Sequence, residues 1–284
     1  MKTHLDCYPC FLRQALEAAR AVGASEDVQS KVVHQVLEEI IKFDPQQSPP
    51  EMAAKIHAIV RRETKYGDLY FETKKKDTEL SLKLYPHLKE LVAKAVDPFE
   101  TAVRLAIAGN IIDVGVSSDY DIQATVDRVL QQPFAINDLS RLQQALGGVS
   151  SVLYLADNAG ETFFDRILIE QIGKTTDYVV KAGPVLNDAT KEDAIAAGLH
   201  NVARIIDNGS DAPGTILPLC SDAFVRQLKK AQLIIAKGQA NYECLSDCES
   251  NIFFLLQAKC PVIANDLGVP LGSVVLKQGG VELG

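Results

Sequence analysis

The chain lacks any apolar stretch of the roughly 18 residues that a membrane helix needs, and Met1-Lys2-Thr3-His4-Leu5-Asp6 lacks a signal peptide's apolar core. Both absences lead to the expectation of a cytoplasmic protein with no membrane partner. No extended cluster of Lys and Arg is present either. At a formal net charge of −8, and with Lys74-Lys75-Lys76 followed at once by Asp77 and Glu79, the chain is poorly equipped to hold a phosphate backbone, which argues against a nucleic-acid partner. Six cysteines in a cytosolic chain of 284 residues do not suggest a disulfide framework. There is no Gly-x-Gly-x-x-Gly turn after the first apolar run, no P-loop lysine motif, and no order that argues for a Ser-His-Asp or Cys-His arrangement.

What is present is an ordinary globular balance, 47% apolar and 23% charged residues, in a chain long enough to bury one large core or two smaller ones. From Pro9 to about Ala145 the apolar spacing is helical nearly throughout, with Leu12, Ala15, Leu16 and Ala19 on one stripe and Val28, Val32, Val36 and Ile40 on the next. Further helices are expected over Glu51–Thr64, Thr73–Lys94, Phe99–Ile112, Asp121–Leu130 and Ile136–Leu146. The character changes at Gly147-Gly148. Beyond it, five short runs that rise to buried-strand character (151–156, 177–182, 202–206, 232–236 and 261–264) alternate with helical segments, among them Thr162–Ile172 and Leu245–Ala258. That rhythm predicts an α/β fold with a parallel sheet. The expected division is a helical subdomain over 1–146 and an α/β subdomain over 147–284.

Each run ends in polar residues, and in a parallel sheet all those ends share the edge where ligands bind. Asp157 and Asn158 follow the first run and Asp188 the second, two carboxylates and a carboxamide of the kind that hold Mg²⁺, Mn²⁺ or a similar hard ion. Asp188 could instead simply cap the helix that follows it. Glu161 completes the Asp157-Asn158-Ala159-Gly160-Glu161 loop, three polar side chains at the mouth of a buried strand. Lys237, opening Lys237-Gly238-Gln239-Ala240-Asn241-Tyr242-Glu243 after the fourth run, could meet a phosphate as a point charge or lie on the surface beside a turn. Asp207-Asn208-Gly209-Ser210-Asp211 suits either a turn or a wall of a substrate site. Asn110 and Asp113 stand three apart in an apolar helix and so share a face.

Taken together, Asp6-Cys7-Tyr8-Pro9-Cys10, Ala108-Gly109-Asn110-Ile111-Ile112-Asp113, the Asp157 loop, Pro184-Val185-Leu186-Asn187-Asp188-Ala189, the Asp207 loop and the Lys237 segment resemble the metal-dependent damage-control phosphatases, formerly domain of unknown function 89, in its prokaryotic Cys-x-x-Cys branch. The resemblance implies a helical subdomain on a Rossmann-like three-layer α/β/α subdomain. It implies a divalent metal (Mg, Mn, Co or Ni) on Asp157, Asn158 and Asp188, with Lys237 on the phosphate and Asn110 and Asp113 reaching in from the helices. The expected reaction is hydrolysis of a small phosphorylated metabolite, a sugar phosphate or a damaged cofactor intermediate. Asp157, Asp188 and Lys237 are the expected catalytic residues, and Asn110, Asp113, Glu161, Asp207, Asn241 and Glu243 the substrate contacts. The nucleophile is water or Asp157 itself. An S-adenosylmethionine-dependent methyltransferase is the alternative, as is a non-catalytic metal or thiol-redox module. Cys7 and Cys10, with Cys244 and Cys248 if the two segments met, would suit a second, zinc site. Nothing in the chain sets an oligomeric state.

Overall fold

The computed structural model describes residues 1–111 and 122–279. Three amphipathic helices come first, α1 (Cys7–Ala21), α2 (Glu26–Lys42) and α3 (Pro49–Thr64). They close on a core of their own made by Phe11, Val32, Val36, Met52, Ile56 and Val60. Local chemistry fixes their ends. Ser25 caps α2, and Ser48 with Glu51 forms a capping box at α3, whose first helical residue is the proline that needs no N–H partner.

The long helix α4 (Phe71–Lys94), α5 (Pro98–Ile111) and α6 (Ile122–Gln131) lead into strand β1 (Phe134–Asn137) and α7 (Leu139–Gly147). The remaining order is β2 (Ser151–Leu155), α8 (Thr162–Ile172), β3 (Thr175–Val180), α9 (Lys191–Ala196), β4 (Arg204–Asp207), α10 (Asp222–Lys230), β5 (Ile234–Lys237), α11 (Gly238–Leu245), β6 (Ile252–Gln257), α12 (Pro261–Leu267) and β7 (Val274–Gly279). The seven strands form one sheet in the order β1-β7-β6-β5-β2-β3-β4. Helices α4, α5 and α8 cover one face through Leu105, Ile107, Phe164 and Leu168, and α10, α11 and α12 cover the other through Phe224, Leu245 and Ile263. The result is the expected three-layer α/β/α fold.

Five expectations need correction. The sheet is mixed, because β7 runs antiparallel to β6 while β1 pairs parallel to β7, so these two strands are reversed against the other five. Strand β6 (Ile252–Gln257) lies in a segment that the periodicity assigned to a helix; a six-residue run buried on every side carries no period to separate the two states. Pro261–Ala264, expected as a strand, opens α12 instead, with proline at the first helical position. Phe134–Asn137 is a strand whose alternating burial was hidden in four residues before a helix. The lysine segment is also no loop, since α11 begins at Gly238 directly after β5.

Topology places the site. From β2 the chain moves outward to β3 and β4, then returns to β5 on the other side, so the connections diverge between β2 and β5. At such a switch point the carboxyl ends of neighbouring strands leave a crevice. The β2 loop starting at Asp157 and the β5–α11 junction at Lys237 flank it.

Candidate active site

The loops after β2 and β3 are tied by their backbones. Ala159 N–H donates to Asn187 O at 2.8 Å, Ala189 N–H to Asp157 O at 2.7 Å, and Asn158 and Asp188 form an antiparallel bridge. This sets Asp157, Asn158 and Asp188 side by side. From α5, Asn110 Nδ2 donates to Asp157 Oδ2 at 2.5 Å and Glu161 Oε1 at 2.7 Å. Asn158 Nδ2 donates to the same Glu161 oxygen at 2.6 Å, which fixes the carboxamide's orientation.

Strand alternation decides which way each lysine points. Ile235 and Lys237 face the α8 side of the sheet, and Lys237 is wholly buried there. Its Nζ lies 2.7 Å from Glu161 Oε2 and 2.7 Å from Asp165 Oδ1. Asp165 also accepts from Tyr154 Oη at 2.7 Å and Tyr178 Oη at 2.8 Å, side chains that sit opposite each other on β2 and β3 with stacked rings. Lys181, following β3, takes the opposite face, donates to Gly214 O and stands 3.4 Å from Asp188 Oδ2.

The electrostatics of this cluster are out of balance. Asp157, Glu161, Asp165 and Asp188 are buried acids whose paired cations are two buried ammonium groups, Lys181 and Lys237, so the acids outnumber their ion-pair partners by two. Burial, reinforced by Glu161 and Asp188, pushes the Asp157 carboxyl well above the ordinary range. Burial raises Asp188 to about 6 even though Lys181 opposes it. Lys237 is held protonated, because Asp165 and Glu161 outweigh the opposing effect of burial. Two oxygens in the cluster, Asp188 Oδ2 and Asn110 Oδ1, accept no hydrogen bond among the described residues. Buried acceptors left in this way are costly unless something else satisfies them.

Gly238 shows how closely the parts are fitted. Its φ is +78°, and a Cβ built there would lie 1.9 Å from Asp157 Oδ2. Only glycine permits both the backbone conformation and the approach.

Of the expected site residues, Asn110, Asp157, Asn158, Glu161, Asp188 and Lys237 come together. Asp113 lies outside the described residues. Asp207 is exposed and accepts from Gly209 N–H within its own turn. Asn241 is buried but occupied, since Oδ1 accepts from Thr215 and Nδ2 donates to Ala156 O and Lys237 O, stapling β2 to α11. Glu243 turns toward the terminal amine and Cys7 of the N-terminal segment and accepts from Gln239 Nε2 one turn earlier in α11. Cys7 and Cys10 are free thiols raised by burial, and the charges acting on both include Cys260 and Glu243 rather than Cys244 or Cys248. Among the described residues no three His, Cys, Asp or Glu side chains converge on a metal position; the set at the switch point has two carboxylates and a carboxamide.

Asp165, Lys181, Tyr154 and Tyr178 were missed. An acid amid Phe163, Phe164, Ile167 and Leu168, and tyrosines at matching places in successive strands, were the available signals.

Glu243 gives a pH prediction. Burial raises it from 4.5 to about 7, against Gln239 and the terminal amine, which lower it; Cys7 and Cys10 face it from α1. The folded state therefore holds an extra proton between those two values, so this stabilisation is present below the unfolded pKa and is lost as pH rises through about 7. Unfolding free energies from urea titrations across that window are expected to fall more for the wild type than for Glu243→Gln, by about 3 kcal/mol at most. Equal slopes would refute the assignment.

The chain is similar to known proteins over nearly its whole length. The profile of the damage-control phosphatase ARMT1-like domain matches residues 3–275. A damage-control phosphatase of Archaeoglobus fulgidus is 36% identical, covering 98% of this chain and 99% of the relative. Damage-control phosphatase PH1575 of Pyrococcus horikoshii is 34% identical over the full length of both. The crystal structure of PH1575, described as a DUF89 family protein, superposes with a TM-score of 0.91 at 33% identity, covering 98% and 99% of the two chains. The switch-point cluster is thus set in a full-length match to one group of proteins, and the chain belongs to the damage-control phosphatase family with the ARMT1-like domain.

Proposed function

We propose that the protein is a metal-dependent phosphatase that hydrolyses a small phosphorylated metabolite, a sugar phosphate or a damaged cofactor intermediate. One observation carries the reading: a buried cluster at the switch point in which four acids meet two paired ammonium groups, and in which Asn110 Oδ1 and, apart from its 3.4 Å contact with Lys181, Asp188 Oδ2 accept no hydrogen bond among the described residues. A divalent cation on Asp157, Asn158 and Asp188 fits that deficit in charge and in ligand chemistry, since hard oxygen donors suit Mg²⁺, Mn²⁺, Co²⁺ or Ni²⁺. When bound, such an ion supplies charge neutralisation for a phosphoryl oxygen.

The chain's own groups supply the rest. Asn110 and Asn158 hold Glu161 in place, and Glu161 with Asp165 holds the Lys237 ammonium ready in the cluster. Lys237 is wholly buried between those carboxylates, so a phosphate meets its ammonium only once the Glu161–Lys237 contact opens, and the donor it then finds is already desolvated. In hydrolysis a P–O bond forms to water, the ester P–O bond breaks, and the departing alcohol oxygen takes up a proton.

The test is p-nitrophenyl phosphate hydrolysis by chelated protein resupplied with each of the four metals, with Asp157→Ala and Asp188→Ala checked for folding. Metal-restored activity is expected to drop on the order of 10³-fold in both variants. Folded wild-type protein inactive with every metal would sink the reading and bring S-adenosylmethionine binding to the front.

A further inference from the structure

The carboxylates of the cluster bear on what attacks the phosphorus. Asp157 is the rival to water, an acid at the end of a buried strand that could carry the phosphoryl group as an aspartyl phosphate. For that, one of its oxygens must be free to approach phosphorus while the other meets the cation. Oδ2 is not free. Asn110 Nδ2 donates to it at 2.5 Å and Asn158 Nδ2 at 3.3 Å. Gly238 closes a third side, since a Cβ on that residue would fall 1.9 Å from the same oxygen. Both carboxamides are themselves held, because each also donates to Glu161 Oε1. Swinging Oδ2 toward a substrate would strand the buried donor of Asn110. That leaves Oδ1, which the phosphatase reading gives to the cation.

The other acids are no better placed. Glu161 accepts at Oε1 from the two carboxamides and at Oε2 from Lys237. Asp165 is wholly interior, with Lys237 and Tyr154 on Oδ1 and Tyr178 on Oδ2. Asp188 Oδ2 is closed to solvent and stands 3.4 Å from Lys181, so only its Oδ1 remains for the cation. Hydroxyls offer no substitute. Loops 156–162 and 181–190 contain no Ser, Cys, His or Tyr, and their two threonines are spent, Thr162 on Ala159 O and Thr190 on the Asp193 carboxylate at α9.

Resting on the phosphatase reading, we infer that the phosphoryl group passes to water in a single displacement, with no phosphoenzyme from which a second metabolite could receive it. The water oxygen forms the new P–O bond as the ester P–O bond breaks on the opposite side of phosphorus. The bonding pair leaves on the alcohol oxygen, which gains one proton of the water, and the other proton stays on the phosphate. Asn110, by fastening Oδ2, keeps Asp157 a ligand and not a nucleophile.

The experiment uses the wild-type protein with its activating metal. p-Nitrophenyl phosphorothioate made chiral by oxygen isotopes is hydrolysed in isotopically labelled water. One displacement inverts the configuration at phosphorus, whereas two, through a phosphoenzyme, retain it. Inversion is expected. In parallel, inorganic phosphate labelled with heavy oxygen is incubated with the same protein and followed by phosphorus NMR. A phosphoenzyme would form from phosphate alone and take unlabelled oxygen from water on its return, but the reverse of a single displacement needs the alcohol. Label loss is therefore expected at less than about a hundredth of the rate of p-nitrophenyl phosphate hydrolysis. Retention, or label loss faster than that, would overturn the inference and leave the phosphatase intact. Should the sulfur substrate not turn over, the exchange alone decides. Protein that hydrolyses no p-nitrophenyl phosphate with any metal overturns the phosphatase reading and this inference together.

Discussion

Replacing Lys237 with methionine is expected to lower the unfolding free energy by about 3–5 kcal/mol, the scale seen when one partner of a buried ion pair is removed. The side chain is entirely buried, and its ammonium is the one cation between Glu161 and Asp165. Without it, two carboxylates and two tyrosine hydroxyls would face each other in a space sealed from water. A companion change separates this stability effect from catalysis. Asp165→Asn in the Lys237→Met background removes one of the stranded charges, and should recover a substantial part of the lost stability while phosphatase activity stays absent. Urea unfolding of the three proteins checks the first statement and metal-restored hydrolysis the second. A single variant as stable as the wild type would mean that the ion pair is not formed as described.

Gly238→Ala is expected to cost on the order of 10²-fold in activity with a loss of about 1–3 kcal/mol in stability. The added methyl would overlap Asp157 Oδ2, so either α11 or the carboxylate must shift. Since Asn110 pins the carboxylate and Asn241 pins α11 to the end of β2, neither moves freely. The change alters no ionisable group, so a loss of rate with an unchanged pH profile would identify it as displacement. Gly268→Ala, a positive-φ glycine with nothing within 4 Å of its Cβ, is the control for backbone strain alone. Should the two variants lose activity equally, the fit of Gly238 against Asp157 would not be the reason.

The sequence carried most of the site's first layer because chemistry of that kind advertises itself. Asp157-Asn158 at the end of a buried run and Lys237 after another could not be accommodated cheaply without partners, so their positions were informative before any fold was known. What supports them was less visible. Asp165 looks like any acid in the first turn of a helix, and only the register of β2 against β3 shows that Tyr154 and Tyr178 converge on it. Glu243 and Asn241 misled for the opposite reason. They follow Lys237 in sequence, but the segment is a helix, whose turn sends Glu243 toward α1 and locks Asn241 into the strand ends. For the fold, helical periodicity was dependable over long amphipathic segments and silent for Ile252–Gln257, where burial on all sides erases the pattern.

The reversed pair β1 and β7 bears on how the molecule is assembled. Phe134 aligns with Val274, and Asp138 accepts from Gln278 N–H while its own N–H reaches Leu276 O. During synthesis, residues 134–138 therefore leave the ribosome long before the strand that completes them. Helices α1 to α3, whose contacts are mostly close in sequence, can condense early, whereas this edge must wait for nearly the whole chain. An interval with β1 unpaired exposes a strand edge, and its brevity and the half-buried alternation of Phe134–Asn137 limit the risk of pairing with another nascent chain.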